Sequence, residues 1–173
     1  MPSILQTIKN SMPNEKRKEF YALAIHPLKF RLYQLISLPS SFFAGLKVIH
    51  IDDASCSVSV KYKWFNKNPF RSLYFAIMGM AAELSTGVLC MANLYKRKPS
   101  ASMLVVKIEG EYYKKATGKI TFTCSMGKQI EQIVDECYTD NEARAIRCET
   151  TGVNEQGEEV ARFWITWSFK TKQ

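Results

Sequence analysis

The sequence predicts an α+β fold in which a six-stranded, mainly antiparallel, curved sheet wraps around one long central helix, with extra N-terminal helices. Three observations support this prediction. The first forty residues have helical patterns, six later segments alternate apolar and polar residues, and Phe70–Tyr95 is apolar almost throughout. Half-buried antiparallel strands need an apolar partner, and Phe70–Tyr95 is the only long apolar segment in the sequence.

Two N-terminal segments have helical features. NEKRKEFYALAI begins with Asn14, a residue type favoured at helix starts, and HPLKFRLYQLISLP has Pro27 near its start and Pro39 as a stop. The second segment has an aliphatic stripe formed by Leu28, Leu32, Leu35 and Ile36. We expect residues 1–40 to form a helical extension packed on a domain of residues 41–173. Two alternatives for the extension are covering a ligand entrance and touching a membrane surface.

Six segments have the pattern of strands. In chain order they are GLKVIHID, CSVSVKYKW, SMLVVKIEGEYYK, KITFTCSM, ARAIRCETTG and VARFWITWSF. In the second segment every other residue from Cys56 to Trp64 is apolar, which predicts one buried face. A shorter amphipathic helix, with Ile130, Ile133, Val134 and Cys137 at helical spacing, is predicted between the fourth and fifth strands.

Composition limits the class of protein. A chain of 173 residues with 46% hydrophobic and 23% charged residues is typical of one soluble globular domain, and its first residues do not resemble a signal peptide. The five cysteines include no C-x-x-C pair, so we expect buried reduced thiols, no metal site and a cytoplasmic location. The net charge of +8 favours anionic partners only weakly, and no nucleic-acid-binding motif is present.

Glu83 is the one charged residue between Phe75 and Met91. At helical spacing it shares a face with the small residues Ala76, Gly79 and Gly87. A buried carboxylate is costly unless it is paired or neutralised. Glu83 is therefore either a structural residue satisfied by polar neighbours or a cleft carboxylate that activates water. In the second case, amides at the helix N-terminus could bind a carbonyl oxygen.

Three motifs carry a resemblance to a known family. They are LPSSFFAG at Leu38–Gly45, NPF to MAAELSTG across Asn68–Gly87, and Trp-Ser-Phe at Trp167–Phe169. With them the chain resembles the hotdog-fold thioesterase superfamily over about Leu38 to Phe169. It is most similar to a bacterial, thioesterase-like branch described as a domain of unknown function.

The resemblance implies roles for individual residues. Acyl-CoA-hydrolysing hotdog proteins of the phenylacetate-degradation type carry an Asn, then His-Gly-Gly, then an acidic residue; here Asn68 and Glu83 match, and Tyr74-Phe75-Ala76 replaces His-Gly-Gly. By this resemblance Glu83 is the base or nucleophile, and Asn68 positions the water or the thioester. The amides around Tyr74 and Phe75 form the oxyanion hole, and Gly79 lies against the substrate. The Asp and His of the hydratase branch are missing before the helix, which argues against enoyl hydration.

The resemblance also implies partners. The favoured activity is hydrolysis of an acyl-CoA or acyl-carrier thioester by a homodimer or tetramer, without a cofactor. Lys96, Arg97 and Lys98 are weak candidates for binding the CoA phosphates, since complementing the helix dipole explains them equally well. The alternative is a non-catalytic acyl- or lipid-binding hotdog protein. Binding to a membrane surface through Leu28–Ile36, with its Lys29 and Arg31, is the least favoured reading.

Overall fold

The computed structural model describes residues 14–172, and within them it confirms the predicted α+β architecture. The helices are α1 (Asn14–Ile25), α2 (Pro27–Ser37), α3 (Pro39–Ala44), α4 (Phe75–Leu94) and α5 (Gly127–Asp140). The strands are β1 (Lys47–Ile51), β2 (Cys56–Lys61), β3 (Ala101–Tyr112), β4 (Lys119–Cys124), β5 (Arg144–Val153) and β6 (Glu159–Thr171). The long helix is α4, and α5 separates the fourth and fifth strands as predicted.

The six strands form one sheet in the order β1-β2-β4-β5-β6-β3, and every neighbouring pair is antiparallel. The alternating pattern of the sequence gives this sheet its buried face, on which Cys56, Val58 and Val60 are almost fully buried. Strands β1 and β3 are the two edges. They lie at opposite ends of the sheet, so a feature beside one edge is remote from the other.

Helix α4 is the centre of the core. Its buried hydroxyls bind the sheet: Ser85 Oγ lies 2.8 Å from Thr150 Oγ1, and Trp167 Nε1 donates a hydrogen bond of 2.9 Å to Thr86 Oγ1. Gly87 lies beneath the Trp167 ring, where a Cβ atom would be 3.0 Å from Cζ2. All five cysteines are buried and none forms a disulfide, as predicted.

Helix α4 begins at Phe75, five residues later than the predicted Phe70. The polar turn before it has its own hydrogen bonds, because Asn68 Oδ1 accepts from the backbone N–H groups of Phe70 and Ser72. Arg71 has a φ of 60°, which a right-handed helix does not allow. These side-chain-to-backbone bonds compete with helix formation and delay the start of α4.

The chain turns after β2 in a way the alternating pattern did not predict. Trp64 was expected on the inward face, but it lies in a 3-10 turn (Trp64–Asn66) and is 80% exposed. Asn66 explains the turn, because its Nδ2 donates hydrogen bonds of 2.8 Å to the carbonyl oxygens of both Ala44 and Lys61. A buried amide that satisfies two carbonyl groups fixes this bend.

Helix α2 packs with the face opposite to the expected one. Phe30 and Gln34 are its buried residues, and Gln34 Nε2 donates to Ser41 Oγ and to the Leu46 carbonyl oxygen. The aliphatic stripe from Leu28 to Ile36 is exposed, so α2 packs through Phe30 and Gln34 and not through this stripe. The proposed boundary between residues 1–40 and 41–173 stays a prediction, and residues 1–13 lie outside the described part of the chain.

Within residues 14–172, one helix, Phe75–Leu94, is long and apolar enough to cross a membrane by length and composition. Two-thirds (67%) of its most apolar window is buried inside the protein. It is therefore a core helix.

Candidate functional site

A cleft of about 470 Å³ lies between the N-terminal half of α4 and the strand pair β3–β6. It is lined by Phe75, Ala76, Gly79, Met80, Glu83, Ile108, Gly110, Tyr112 and Phe163. Three of the predicted site residues, Phe75, Gly79 and Glu83, therefore lie together in one cleft. Gly79 keeps it open, because a Cβ atom there would meet Phe163 and Ile108 only at ordinary contact distances of 3.7 and 3.9 Å.

Glu83 is the only carboxylate in this lining. Its side chain is mostly buried, and burial raises the pKa of the carboxyl group above its ordinary value. Among residues 14–172, no donor forms a hydrogen bond or ion pair with this carboxylate. An apolar setting that raises a carboxyl pKa towards neutrality makes the group a better proton acceptor when it is ionised.

The first two residues of α4 line the same cleft, and their amides have no hydrogen-bond partner among residues 14–172. The predicted Tyr74 amide is not one of them, since it donates a hydrogen bond of 2.8 Å to the Asn66 carbonyl oxygen. The amides of Phe75 and Ala76 have no backbone acceptor within the described residues, and Tyr74 provides no side-chain cap. Within the described residues, the amides at this helix N-terminus that remain unpaired are therefore those of Phe75 and Ala76.

These donors are far from Glu83 along the helix. Eight residues separate Phe75 from Glu83, which corresponds to about 12 Å at the rise of an α-helix. A reacting carbonyl group needs its oxygen about 3 Å from the donors and its carbon about 3–3.5 Å from the attacking atom. Within one chain, a carbonyl group meets both requirements only if the extended Glu83 side chain spans the rest of this separation.

The cleft is bordered by an unpaired sheet edge. Strand β3 pairs only with β6 in the described chain, and its residues Leu104, Val106 and Ile108 are more than half exposed. A long apolar edge with free backbone groups is a surface to which another strand can add. Because Ile108 lines the cleft as well, a chain that pairs with β3 would reach this site.

The matching family model has the description "Domain of unknown function (DUF4442)" and covers residues 31–169. The chain belongs to the DUF4442 family. Among curated proteins, none matches it.

Solved structures share the fold of this DUF4442 chain. PA5026 from Pseudomonas aeruginosa, described as a probable thioesterase, has a TM-score of 0.71 at 17% identity over 87% of this chain and 99% of its own. Thioesterase HI1161 from Haemophilus influenzae has a TM-score of 0.59 at 13% identity, over 86% and 95%. The PaaI protein from the phenylacetic acid degradation operon of E. coli has 0.61 at 12%, over 92% and 96%. The predicted hotdog fold is confirmed by these structures.

Asn68 lies outside the cleft lining. Its Oδ1 accepts hydrogen bonds from the turn, as described above, and its Nδ2 donates to Ser72 Oγ and to the Leu73 carbonyl oxygen. Both ends of the side chain are thus used to shape the loop before α4. The catalytic role predicted for Asn68 gains no support from these contacts.

The basic cluster predicted to bind CoA phosphates follows the other end of α4. Lys96 Nζ lies 2.6 Å from a Glu19 oxygen, and Arg97 is buried with Nη1 2.6 Å from Asp135 Oδ1. Only Lys98 is both exposed and outside these ion pairs. The end of α4 is about 16 Å from Glu83 along the helix axis. The cluster ties α4 to α1 and α5, which is a structural role for Lys96 and Arg97.

The strand residues of the cleft were not predicted. Gly110 stands opposite Phe163 in the β3–β6 ladder, and a Cβ atom at Gly110 would be 2.7 Å from that ring. The Tyr112 ring contacts the rings of both Phe75 and Phe163 edge to face, and the three form an aromatic wall. An isolated glycine in a strand segment signals such a close approach and could have identified this wall.

Proposed function

We propose that this DUF4442 protein hydrolyses a thioester, with an acyl-CoA or acyl-carrier thioester as substrate. The observation that supports this proposal is Glu83, a mostly buried carboxylate that has no partner among residues 14–172 and lies in a cleft lined largely by apolar side chains. A structural Glu would be expected to have donors around it. The apolar lining suits an acyl group, and the carboxylate suits the activation of water.

The chemistry needs few groups. Glu83 takes a proton from water, whose oxygen attacks the thioester carbon, or it attacks that carbon directly and water then cleaves the resulting anhydride. The amides of Phe75 and Ala76 donate to the carbonyl oxygen as it becomes an oxyanion. The C–S bond breaks, the thiolate takes up a proton, and a carboxylic acid and a thiol are released.

We further propose that the working unit contains two copies of the chain. The separation of about 12 Å between Phe75 and Glu83 along α4 favours a site in which the amides and the carboxylate come from different copies. Antiparallel pairing of two β3 edges would bury Leu104 and Val106 and bring two α4 helices side by side in opposite directions. In that arrangement the amides of one copy approach Glu83 of the other. Higher assembly to a tetramer is compatible with this unit.

Thiol release from a panel of short-chain, aryl and long-chain acyl-CoAs tests the proposal. The wild-type protein is compared with Glu83→Gln, which keeps the size of the side chain but cannot accept a proton as a base. Glu142→Gln is the matched control, because Glu142 is an exposed carboxylate outside the cleft lining. We expect Glu83→Gln to lower kcat about 10²–10⁴-fold and Glu142→Gln to leave it unchanged.

Equal activity of the wild type and Glu83→Gln on every active substrate would contradict the assignment of Glu83.

A second candidate function, non-catalytic acyl binding, is favoured by a separate apolar cavity. This cavity, of about 320 Å³, lies between α1, α2 and the C-terminal half of α4, and Phe20, Phe30 and Met91 line it. A fatty acid released from the purified protein by denaturation, with no turnover of any thioester, supports this second function.

A further inference from the structure

The outer face of α2 is the largest run of exposed aliphatic side chains on any helix of the described chain. We define the α2 face as Leu28, Leu32, Leu35 and Ile36. Leu28 and Ile36 are 76% and 74% exposed, and Leu32 is 58% exposed. Exposing this much aliphatic surface to water is unfavourable in free energy, and an exposed apolar patch of this kind marks an interaction site.

The orientation of α2 is fixed by its buried side. Gln34 is fully buried and bound to Ser41 and Leu46, and Phe30 is buried beside it. Rotating α2 to bury the aliphatic stripe would expose Phe30 and leave the Leu46 carbonyl oxygen without its donor. The α2 face is therefore held outwards by the fold.

Aromatic side chains continue this surface beyond α2. The Arg31 guanidinium lies 3.9 Å from the centre of the Phe42 ring, and the centres of the Phe42 and Phe43 rings are 5.4 Å apart. Phe43 is more than half exposed, and the centre of its ring lies 6.3 Å from that of Phe65. An exposed surface of aliphatic and aromatic groups thus extends from α2 through α3 to the turn after β2.

Basic residues lie at this surface. Arg31 stacks on the Phe42 ring, and Lys63 Nζ donates a hydrogen bond of 2.8 Å to the Phe43 carbonyl oxygen and lies 6.0 Å from the centre of the Phe65 ring. No acidic residue occurs between Glu19 and Asp52, a stretch that includes all of α2. Lys29 is exposed on α2 itself. Apolar groups surrounded by basic residues complement an anionic lipid surface, which offers phosphate groups above hydrocarbon.

The position of α2 beside one edge of the sheet keeps the α2 face accessible. Helix α2 contributes to the wall of a groove along β1, and β1 is the sheet edge opposite β3. A dimer formed through β3 would therefore leave the α2 face uncovered. We infer that the α2 face, with the basic residues around it, binds the surface of an anionic phospholipid membrane with α2 parallel to the bilayer plane. The inference does not depend on the proposed thioesterase activity.

Co-sedimentation with vesicles tests this inference. The full-length protein is mixed with phosphatidylcholine vesicles, with or without roughly a third phosphatidylglycerol. We expect binding to the anionic vesicles, much weaker binding to pure phosphatidylcholine, and loss of binding when the salt is raised from about 0.1 M to about 1 M. The double variant Leu32→Glu/Ile36→Glu should lower the vesicle partition coefficient about tenfold or more.

The matched control is Thr117→Glu/Ser125→Glu, which adds the same charge at two exposed residues outside α2 and should retain most of the binding. If the glutamates at positions 32 and 36 unfold the chain, Leu32→Ser/Ile36→Ser tests the same face without added charge. Equal binding by wild type and either α2 variant overturns the inference. So does failure of the wild type to bind anionic vesicles. A fall in native mass for the α2 variants alone, without vesicle binding, would assign this face to contacts between copies of the chain.

Discussion

Two glycines in the interior of α4, Gly79 and Gly87, provide a sharp test of the structure because they differ in the side chains that pack against them. Replacing either with alanine removes a helix-interior glycine and should stabilise the helix by about 1 kcal/mol. At Gly79 the new methyl group meets Phe163 and Ile108 at 3.7 and 3.9 Å, which are ordinary contacts. Gly79→Ala should therefore raise the free energy of unfolding by about 0.5–1 kcal/mol.

At Gly87 the same methyl group is crowded. It would lie 3.0 and 3.3 Å from two carbons of the Trp167 ring and 3.2 Å from Glu83 Oε1. The Trp167 ring is buried and held by its hydrogen bond to Thr86, so it has little freedom to move away. Overpacking of this kind costs about 1–3 kcal/mol and offsets the gain in helix propensity. Gly87→Ala should be neutral or destabilising by up to about 2 kcal/mol.

The assay is thermal and urea denaturation of wild type and both variants. A difference of 1 kcal/mol in a chain of this size shifts Tm by about 2–4 °C. Gly79→Ala should melt above wild type and Gly87→Ala at or below it. If Gly87→Ala proves the more stable of the two, the packing of Trp167 on α4 described here is wrong.

Three further predictions concern buried polar groups. Burial raises the pKa of Glu83, so the folded chain favours the protonated carboxyl group. The protonated group therefore contributes to the stability of the fold fully at a pH below the pKa that Glu83 has in the unfolded chain. This contribution is lost as the pH rises through the higher pKa that Glu83 has in the folded chain. Glu83→Gln should therefore be more stable than wild type by about 0.5–2 kcal/mol at neutral pH, an advantage that shrinks on acidification in pH-dependent urea melts. Arg97→Met leaves the partly buried carboxylate of Asp135 without this cation and should lower the free energy of unfolding by about 1–3 kcal/mol in urea denaturation, more than an exposed ion pair contributes. Thr86→Val removes the acceptor of the Trp167 N–H and should lower the free energy of unfolding by about 1–3 kcal/mol, and an unchanged Tm would contradict that bond.

The fold was predictable because the sheet and α4 follow simple periodicities. The strand segments and the apolar helix are signals of local sequence, and burial of both requires them to pack together. The start of α4 was not predictable in this way, since Asn68 and Arg71 determine it through a turn whose side-chain bonds compete with the helix.

The orientation of α2 was not predictable from hydrophobicity. The sequence has a continuous aliphatic stripe, and burial of this stripe is favourable when the helix is considered alone. The folded chain instead buries Gln34, because its side-chain amide donates a hydrogen bond to the carbonyl oxygen of Leu46. Leu46 lies in the short connection between α3 and β1. A partner so far along the chain leaves no periodic signal in α2. Sequence reasoning failed here because a long-range polar requirement outweighed a local apolar one.

The candidate site shows the same division between local and long-range information. Glu83 stood out in the sequence as a lone charge in an apolar helix, and the structure places it in a cleft without a donor among residues 14–172. The wall formed by Tyr112 and Phe163 comes from β3 and β6, whose pairing the sequence did not specify. Two features then remain without a partner among residues 14–172: the Glu83 carboxylate has no donor, and the apolar edge of β3 has no neighbouring strand. Both lie beside the same cleft, so a second copy added at β3 would satisfy them together.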